Sequence, residues 1–236
     1  MIDWHSHILP NMDDGSKSLD ESLKLLELLS GQDVDTVVAT PHFYAENERL
    51  DSFLARRSES MDLLKSSLGN ESGIPATSVI SGAEVRYYKG ISRLEGLEKL
   101  KIERSRLLLL EMPFERWSDY VLKEVEEISR SGVVTVLLAH VDRYYGFVDL
   151  SVFDRLRQNG ADLQINAEAF DSFFDRAKAY KMIRSGLARF LGSDCHNLDT
   201  RAPKIGIAFD YIRKKAGKEF LYGMNKFGHS LFVIKQ

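Results

Sequence analysis

Short apolar runs alternate with amphipathic helical patterns along the chain, and this alternation restricts the fold more than any other feature of the sequence. Strands that alternate with helices form parallel sheets, because each helix crosses back over the sheet before the next strand begins. The runs are apolar almost without interruption, as expected of strands that are covered on both faces. The sequence therefore predicts seven parallel strands, at residues 1–4, 34–40, 78–85, 106–112, 133–140, 161–166 and 188–192.

The helical patterns between these runs have recognisable beginnings and ends. Ser18 and Glu21 form a capping-box pattern before a row of leucines at helical spacing, and Gly31 follows the row as a stop signal. Further helices are predicted at residues 47–68, 118–132, 151–158, 169–185, 204–216 and 218–224, and a loop rich in Gly, Asn, Ser and Pro at 69–77.

Seven strand–helix units suit a closed barrel related to the eight-stranded α/β barrel. We therefore predict an α/β fold, specifically a distorted seven-stranded (β/α)7 TIM-like barrel. The 236 residues contain no internal repeat and no linker-like stretch, so we expect one domain over residues 1–236. An open, doubly wound sheet is the alternative that the periodicity leaves open.

The overall charge and the single cysteine exclude several classes of protein. Lysines and arginines number 32 against 35 aspartates and glutamates, and a net charge of −3 gives no support for nucleic-acid binding. Cys195 alone cannot form an internal disulfide or a thiolate metal cluster, which suits a reducing compartment. The first residues lack the pattern of a secretory signal, and the apolar stretches are too short to span a membrane. We expect a cytoplasmic protein without membrane insertion.

Histidines and carboxylates occupy the carboxyl ends of six of the seven predicted strands. In a parallel barrel these ends open on one face, so side chains that are distant in sequence meet there. Glu84 and Glu111 each end an apolar run, where a carboxylate is costly unless a cation neutralises it. His5 and His7 stand two residues apart on an extended segment, so both imidazoles can face one ion. The candidate metal ligands are His5, His7, Asp14, His42, Glu84, Glu111, His140, Asp194 and His196.

The number and type of these ligands indicate more than one ion. Zinc commonly takes four ligands and harder ions take up to about six, so nine ligands that include bridging carboxylates suit two or three divalent ions. Imidazole and carboxylate ligands without thiolate are typical of zinc, manganese or iron. Metal-dependent amidohydrolases also begin with His-x-His, but their other ligands are mainly histidines and a late aspartate. The two strand-end glutamates fit that class poorly.

These motifs resemble those of the polymerase-and-histidinol-phosphatase (PHP) superfamily. Within it, the chain is similar to the bacterial protein-tyrosine phosphatases of capsule and exopolysaccharide loci. The resemblance extends over nearly the whole chain. It is carried by His-Ser-His-Ile-Leu-Pro at 5–10, Asp-Asp-Gly at 13–15, Thr-Pro-His at 40–42, Gly-Ala-Glu at 82–84, Ala-His-Val-Asp-Arg-Tyr at 139–144 and Ser-Asp-Cys-His-Asn-Leu at 193–198.

The resemblance implies a distorted α/β barrel that holds a trinuclear, usually manganese-dependent site, with iron and zinc as alternatives. The ligands of that site fall on the same nine residues, and its two arginines fall on Arg143 and Arg201. The implied substrate is phosphotyrosine in the tail of a membrane-attached tyrosine autokinase that controls capsule or exopolysaccharide synthesis. A small-molecule phosphatase of the histidinol-phosphatase type and a non-catalytic metal-bound partner domain remain as alternatives.

Two segments near the predicted ligands need a separate interpretation. The residues after His42 are aromatic and acidic, whereas this loop is basic in some relatives, and either Phe43 or Tyr44 can stack on a tyrosine ring there. Cys195 and Arg201 have the Cys-x5-Arg spacing of cysteine-dependent tyrosine phosphatases. The loop between them contains no glycine and has aspartates that oppose thiolate formation, so we do not expect a cysteine nucleophile. His229 and residues 231–236 are expected in packing or surface roles.

Overall fold

All seven predicted strand regions form strands. One of them divides into two, and one further short strand was not predicted, so that the described residues contain nine short strands. The computed structural model describes residues 1–68 and 77–232, and every strand pair within these ranges is parallel. The strands are β1 (Ile2–Ser6), β2 (Thr36–Ala39), β3 (His42–Phe43), β4 (Ser78–Ser81), β5 (Glu84–Arg86), β6 (Leu107–Glu111), β7 (Thr135–Leu138), β8 (Asp162–Asn166) and β9 (Phe190–Gly192).

The amphipathic patterns form α-helices that accompany these strands. α1 begins as predicted, because the Ser18 hydroxyl accepts a hydrogen bond from the Glu21 backbone N–H. None of the helices that the structure describes combines the length and apolar character that a membrane crossing requires. The helices are α1 (Leu19–Ser30), α2 (Leu50–Leu68), α3 (Asp119–Arg130), α4 (Leu150–Gln158), α5 (Arg176–Arg184), α6 (Ile205–Ala216) and α7 (Lys218–Ser230).

The order of the strands in space follows their order in the chain. β1, β2 and β4 form one sheet, and β3, β5, β6, β7, β8 and β9 form a second. A doubly wound sheet reverses its strand order at a switch point, so the doubly wound alternative does not apply. The Asp194 N–H bonds the His5 carbonyl at 2.7 Å, so the chain after β9 lies beside β1. The described strands form a curled parallel sheet, while the predicted count of seven strands is not confirmed.

Two breaks between strands lie close to the carboxyl ends of predicted strands. The strand predicted at 78–85 divides into β4 and β5 on either side of Gly82. Pro41 has no N–H to donate to a strand ladder, and it separates β2 from β3. The Glu84 N–H bonds the Pro41 carbonyl at 3.0 Å, and His42 pairs with Glu84 in the β3–β5 register. The interruption therefore places these two candidate ligands side by side.

The predicted helix at 169–185 is wrong over its first seven residues. α5 begins only at Arg176, and a 3-10 helix at Ala167–Phe170 precedes it. The Ser172 hydroxyl donates to the Asp175 carboxylate at 2.7 Å and accepts from the Asp175 N–H at 3.2 Å. Such local side-chain bonds offer the backbone an alternative to the helix.

Other predicted ends differ less or lie outside the described residues. α2 begins at Leu50 rather than at residue 47, and α7 continues past residue 224 to Ser230. His229 therefore lies in α7 with its side chain 44% exposed, as expected of a surface residue. The predicted loop at 69–77 lies outside the described residues except for Thr77, and the same is true of the C-terminal residues 233–236.

Side chains alternate between two apolar layers along the strands. Leu108 and Leu110 of β6 join the large core that also contains the buried helix residues. Leu107 and Leu109 join a second cluster with Trp4 of β1, built mainly from strand residues. Both faces of these strands are therefore covered by apolar side chains, as the uninterrupted apolar runs predict.

Candidate metal centre

The carboxyl edge of the sheet carries all nine candidate ligands. His5 lies within β1 and Glu111 ends β6, while the others begin a strand or lie in the segment that follows one. Most of the nine side chains are buried, although His42 and Glu111 are half-buried and Asp14 is exposed. The structure thus brings the nine residues together as the sequence predicts, and their role as metal ligands stays a prediction.

Glu84 stands among four histidines. Its Oε2 lies 3.2 Å from Nε2 of His5 and of His7, and 3.1 Å from Nδ1 of His42. Its Oε1 lies 2.9 Å from Nε2 of His140. Burial alone raises the pKa of this carboxyl group, but the surrounding histidines, His5 first, hold that pKa well below its ordinary value. Glu84 is therefore an ionised carboxylate, of the kind that bridges metal ions.

Asp194 forms ion pairs with both predicted arginines. Nη2 of Arg143 lies 2.6 Å from Oδ2, and Nη2 of Arg201 lies 3.0 Å from Oδ1. Oδ1 also lies 3.4 Å from Nε2 of His5 and of His7. Burial raises the pKa of Asp194, yet His5, His7 and Arg143 together hold it well below its ordinary value. The arginines are thus tied to the cluster itself rather than to remote surface carboxylates.

Asp14, His42 and His196 form the outer part of the cluster. Oδ1 of Asp14 lies 3.6 Å from Nε2 of His42 and 3.4 Å from Nε2 of His196. Burial first, and then the neighbouring His7, lower the pKa of His196 to about 3. Its imidazole is therefore neutral at neutral pH and keeps a lone pair that can bind a cation.

Three groups of these side chains have ligand atoms close enough to hold an ion. Within each group, one ligand atom per residue lies within 4.8 Å of the others. Glu111 joins the cluster from β6, and its Oε1 lies 3.7 Å from Nε2 of His140. Among the described residues the groups are His7, Asp14, His42 and His196; His5, His7 and Glu84; and His42, Glu84 and Glu111.

Hydrogen bonds on the far side of three histidines fix which ring nitrogen faces the cluster. Nδ1 of His5 lies 3.2 Å from Oε1 of Gln164, and Nδ1 of His7 lies 2.7 Å from Oδ2 of Asp13. Nδ1 of His196 lies 2.9 Å from a backbone carbonyl oxygen. These oxygens accept hydrogen bonds, so each Nδ1 carries the hydrogen and Nε2 is left for an ion.

The unpartnered atoms of the cluster also fit a divalent cation. Nε2 of His196 and Nδ1 of His42 are buried and have no hydrogen-bond partner among the described residues. Buried polar atoms without partners are costly, and a cation satisfies imidazole lone pairs that no donor reaches. Imidazole nitrogens beside ionised carboxylates are the donor set that manganese, iron and zinc accept.

Asp13 is a functional residue that sequence reasoning missed. Its carboxylate accepts from His7 Nδ1, from the His42 backbone N–H at 2.8 Å and from the Gly15 N–H at 2.9 Å. Burial lowers the pKa of His7, but Asp13 outweighs this and raises it well above its ordinary value. The Asp-Asp-Gly motif is visible in the sequence. Which aspartate faces the cluster and which supports it depends on the loop conformation.

Gln164 is a second residue that sequence reasoning missed. Its Oε1 also accepts from the His140 backbone N–H at 2.7 Å, so one amide oxygen supports two candidate ligands, the other being His5. Its Nε2 donates to Asn166, which donates in turn to Asp194 at 2.9 Å. Polar residues alternate with apolar ones along the predicted sixth strand, and this pattern could have indicated a polar face toward the site.

The backbone at the site is tightly constrained. His140 and Asp194 have left-handed backbone conformations, with φ of 33° and 52°. Gly192 lies so close to His5 that a Cβ added to it would stand 2.5 Å from the histidine Cβ. Gly15 approaches His7 in the same way, with 2.3 Å from such a Cβ to the histidine carbonyl oxygen. Larger residues at either glycine would displace a candidate ligand.

A cavity of about 170 Å³ opens onto the cluster. Candidate ligands and both arginines line it, and Tyr44, Arg86 and Phe114 complete its wall. Phe43 is 1% exposed and packs on Phe53 in the core, so the suggestion that Phe43 stacks on a substrate ring is wrong. Tyr44, the other residue suggested for that contact, lines the cavity.

Cys195 lacks the environment of a catalytic cysteine. Its side chain is 1% exposed, and burial, with Asp3 nearby, raises the pKa of the thiol to about 12. A nucleophilic cysteine needs a lowered pKa and access to the substrate. The cysteine mechanism that the spacing to Arg201 suggests therefore has no support at this position.

The curled parallel sheet and the imidazole–carboxylate cluster at its carboxyl edge are features of metal-dependent hydrolases built on barrel-like folds. The chain belongs to the capsular polysaccharide synthesis family CpsB/CapC, which matches residues 1–225. The family that the sequence motifs predict is thereby confirmed.

Individual relatives match nearly the full length of the chain. The tyrosine-protein phosphatase CpsB of Streptococcus pneumoniae is 31% identical, over 92% of this chain and 91% of the relative. The tyrosine-protein phosphatase YwqE of Bacillus subtilis is 29% identical, over 94% of this chain and 87% of the relative.

Solved structures agree with this assignment. One from a study of YwqE of Bacillus subtilis and CpsB of Streptococcus pneumoniae, described as metal-dependent tyrosine phosphatases, has a TM-score of 0.85 at 26% identity. It covers 100% of this chain and 97% of the other. The lactonase Lmo2620 of Listeria monocytogenes, with a TM-score of 0.60 at 10% identity over 100% of this chain and 95% of the other, shares the fold alone.

Proposed function

We propose that this chain is a metal-dependent phosphatase that hydrolyses phosphotyrosine in proteins. The observation that carries the proposal is the convergence of the nine candidate ligands in one cluster, five of which line a cavity together with the two arginines. Relatives named tyrosine-protein phosphatases, aligned over nearly their full lengths, support it. We further propose that residues 1–236 form one domain. β2 with β3, and β4 with β5, then count as two interrupted strands of a distorted seven-stranded barrel.

The candidate ligands would hold two or three divalent ions, with manganese expected and iron or zinc as alternatives. Glu84 belongs to two of the candidate groups, and a carboxylate, unlike a neutral imidazole, can bind two neighbouring ions. When bound, such ions supply a water of lowered pKa and positive charge for the phosphoryl oxygens.

Arg143 and Arg201 would hold the phosphate group. Both line the cavity, and both pair with Asp194, Arg143 through Oδ2 and Arg201 through Oδ1. A guanidinium group matches two phosphoryl oxygens with parallel N–H donors, and it stabilises charge that develops as the ester bond breaks. The phenolate of tyrosine leaves readily as an anion, so the reaction does not need a dedicated general acid.

The expected substrate is the phosphorylated tyrosine-rich tail of a membrane-attached bacterial tyrosine kinase that controls capsule or exopolysaccharide synthesis. Membership in a capsular polysaccharide synthesis family supports this partner. A cytoplasmic location fits such a partner, since the tail of a membrane-attached kinase is reached from the cytoplasm.

The experiment that tests the proposal measures hydrolysis of a phosphotyrosyl peptide and of histidinol phosphate by the purified protein. EDTA should abolish hydrolysis of the peptide, and added Mn²⁺ should restore it, because the ligands act only through bound ions. Faster turnover of histidinol phosphate would instead identify a small-molecule phosphatase. A metal-bound protein that hydrolyses neither ester would identify a non-catalytic partner domain.

Cys195→Ser should leave hydrolysis of the phosphotyrosyl peptide within about tenfold of the wild-type rate, because the buried thiol takes no part in the reaction. The steady-state rate at saturating Mn²⁺ is the measurement, and melting temperatures of both proteins serve as the control for folding. A loss of more than about a hundredfold in a folded variant would favour the cysteine mechanism.

A further inference from the structure

Two aromatic side chains, Tyr44 and Phe114, form part of the wall of the cavity, and we call them the aromatic pair. Tyr44 follows β3, and Phe114 follows β6. Both line the cavity together with candidate ligands and both arginines. Apart from these two rings, every residue that lines the cavity is charged or is a histidine. The pair therefore supplies the aromatic carbon surface available there to a ligand.

Tyr44 is held in place from two sides. Its ring stacks on the His42 ring, with centroids 5.0 Å apart and 23° between the planes. The guanidinium carbon of Arg86 lies 5.6 Å from the centroid of the Tyr44 ring. The backbone carbonyl of Tyr44 accepts a hydrogen bond from the Asn47 N–H at 2.9 Å, so that a turn follows Tyr44 directly. The ring is thus fixed beside a candidate ligand without being buried.

Phe114 occupies the equivalent place beside His140. The two rings are nearly parallel, at 14°, with centroids 5.9 Å apart. Tyr144 supports Phe114 from behind at 5.4 Å, and its hydroxyl bonds both the N–H and the carbonyl of Met112. Despite this support, 49% of the Phe114 side chain is exposed. Such exposure of a large apolar ring beside a charged cavity suits contact with a ligand.

The aromatic pair lies close to the centre of the cluster. Tyr44 stacks on His42 and Phe114 stacks on His140. These two histidines contact different oxygens of the Glu84 carboxylate. Each ring of the aromatic pair is therefore separated from the Glu84 carboxylate by one imidazole. A phosphate ester whose phosphate faces the ions and arginines would extend its leaving group outward, past the two rings.

We propose that Tyr44 and Phe114 bind the aromatic ring of the substrate and make the site selective for aryl over alkyl phosphate esters. This inference rests on the proposed function and names the residues that recognise the tyrosyl part of its substrate. Aromatic rings bind one another by stacking or edge contacts, which an aliphatic leaving group such as the serine of a phosphoserine cannot supply.

The test measures binding of phosphonates that cannot be hydrolysed, because phenolate is also the better leaving group and rates alone would mix the two effects. Titration calorimetry with the Mn²⁺-loaded protein gives Kd for phenylphosphonate, methylphosphonate and inorganic phosphate. The wild-type protein should bind phenylphosphonate more tightly than methylphosphonate. Tyr44→Ala and Phe114→Ala should each weaken phenylphosphonate binding by about 3- to 10-fold and change phosphate binding by less than about twofold.

Phe174→Ala is the matched control. Phe174 is 87% exposed and does not line the cavity, so its replacement should change none of the three Kd values. Equal losses of phenylphosphonate and phosphate binding in the Tyr44 or Phe114 variants would overturn the proposal, and so would unchanged phenylphosphonate binding. A wild-type protein that prefers phenylphosphonate through these residues but hydrolyses no phosphotyrosyl peptide would support the aromatic pair and contradict the proposed function.

Discussion

Glu84→Gln is expected to lower kcat/KM for a phosphotyrosyl peptide by at least about 10³-fold, more than the roughly 10- to 100-fold that loss of an outer partner of a metal ligand costs. Glu84 lies within 3.2 Å of nitrogens from four histidines, so four of the five candidate histidine ligands lie against its charge. Glutamine keeps the shape but removes the negative charge, and its amide nitrogen cannot bind a metal ion as a carboxylate oxygen does. The measurements are steady-state kinetics and the metal content of the protein after gel filtration.

The exposed Glu98 offers a matched control, because Glu98→Gln makes the same chemical change outside the cluster. That variant should keep wild-type metal content and activity. Far-UV circular dichroism and thermal melting show whether the Glu84 variant folds. A folded Glu84→Gln protein with full metal content and activity within tenfold of wild type would contradict the assignment of Glu84 as the central ligand.

Arg143→Ala is expected to lower kcat/KM by about 10²- to 10³-fold, the usual cost of removing one donor that stabilises transition-state charge. Arg143 is bonded to Asp194 at 2.6 Å, and it lines the cavity beside the candidate ligands. Burial lowers its pKa, but Asp194 and Asp142 outweigh this and raise it, so the guanidinium is fully charged. Arg143→Lys should recover only part of the rate, because an ammonium lacks the planar pair of donors.

Arg155 provides the control for this second prediction. It pairs with Glu126 at 2.6 Å and with Asp119 at 2.9 Å, in an ion-pair group that does not line the cavity. Arg155→Ala should leave kcat/KM within about twofold of wild type, because this arginine does not line the cavity and contacts none of the candidate ligands. Inhibition by inorganic phosphate should weaken in Arg143→Ala and stay unchanged in Arg155→Ala. Unchanged phosphate inhibition in the Arg143 variant would contradict a role in holding phosphate.

Much of the fold follows from short-range patterns in the sequence. Each apolar run became a strand, because burial on both faces leaves a run of this length no better alternative. Interruptions were not predictable to the same degree. Pro41 signals an end to β2, but the short continuation as β3 depends on pairing with β5, a segment about forty residues away. The prediction of a helix at 169–185 was wrong at its start because of a short-range interaction. The hydrogen bond between Ser172 and Asp175 favours a non-helical backbone there, although the apolar spacing is helical.

The sequence predicted which candidate ligands converge at the site. It did not predict the residues that form hydrogen bonds to those candidate ligands. His5, Glu84 and Asp194 are unusual residue types at strand ends, so their positions alone indicate convergence. Asp13 and Gln164 act through hydrogen bonds whose geometry depends on the folded loop and on a neighbouring strand. Such partners carry no fixed spacing to the ligands they orient. Their roles therefore emerge only when the strands are placed side by side.

The left-handed backbone at His140 and Asp194 has a consequence for laboratory evolution of this protein. A non-glycine residue in that conformation costs about 1–2 kcal/mol, and the chain carries the cost twice within one site. Glycine at either position would relieve the strain and remove a candidate ligand at the same time. Selection for heat resistance alone would therefore favour inactive glycine variants at these two positions. A screen that measures turnover as well as melting temperature would be needed to keep the histidine and the aspartate.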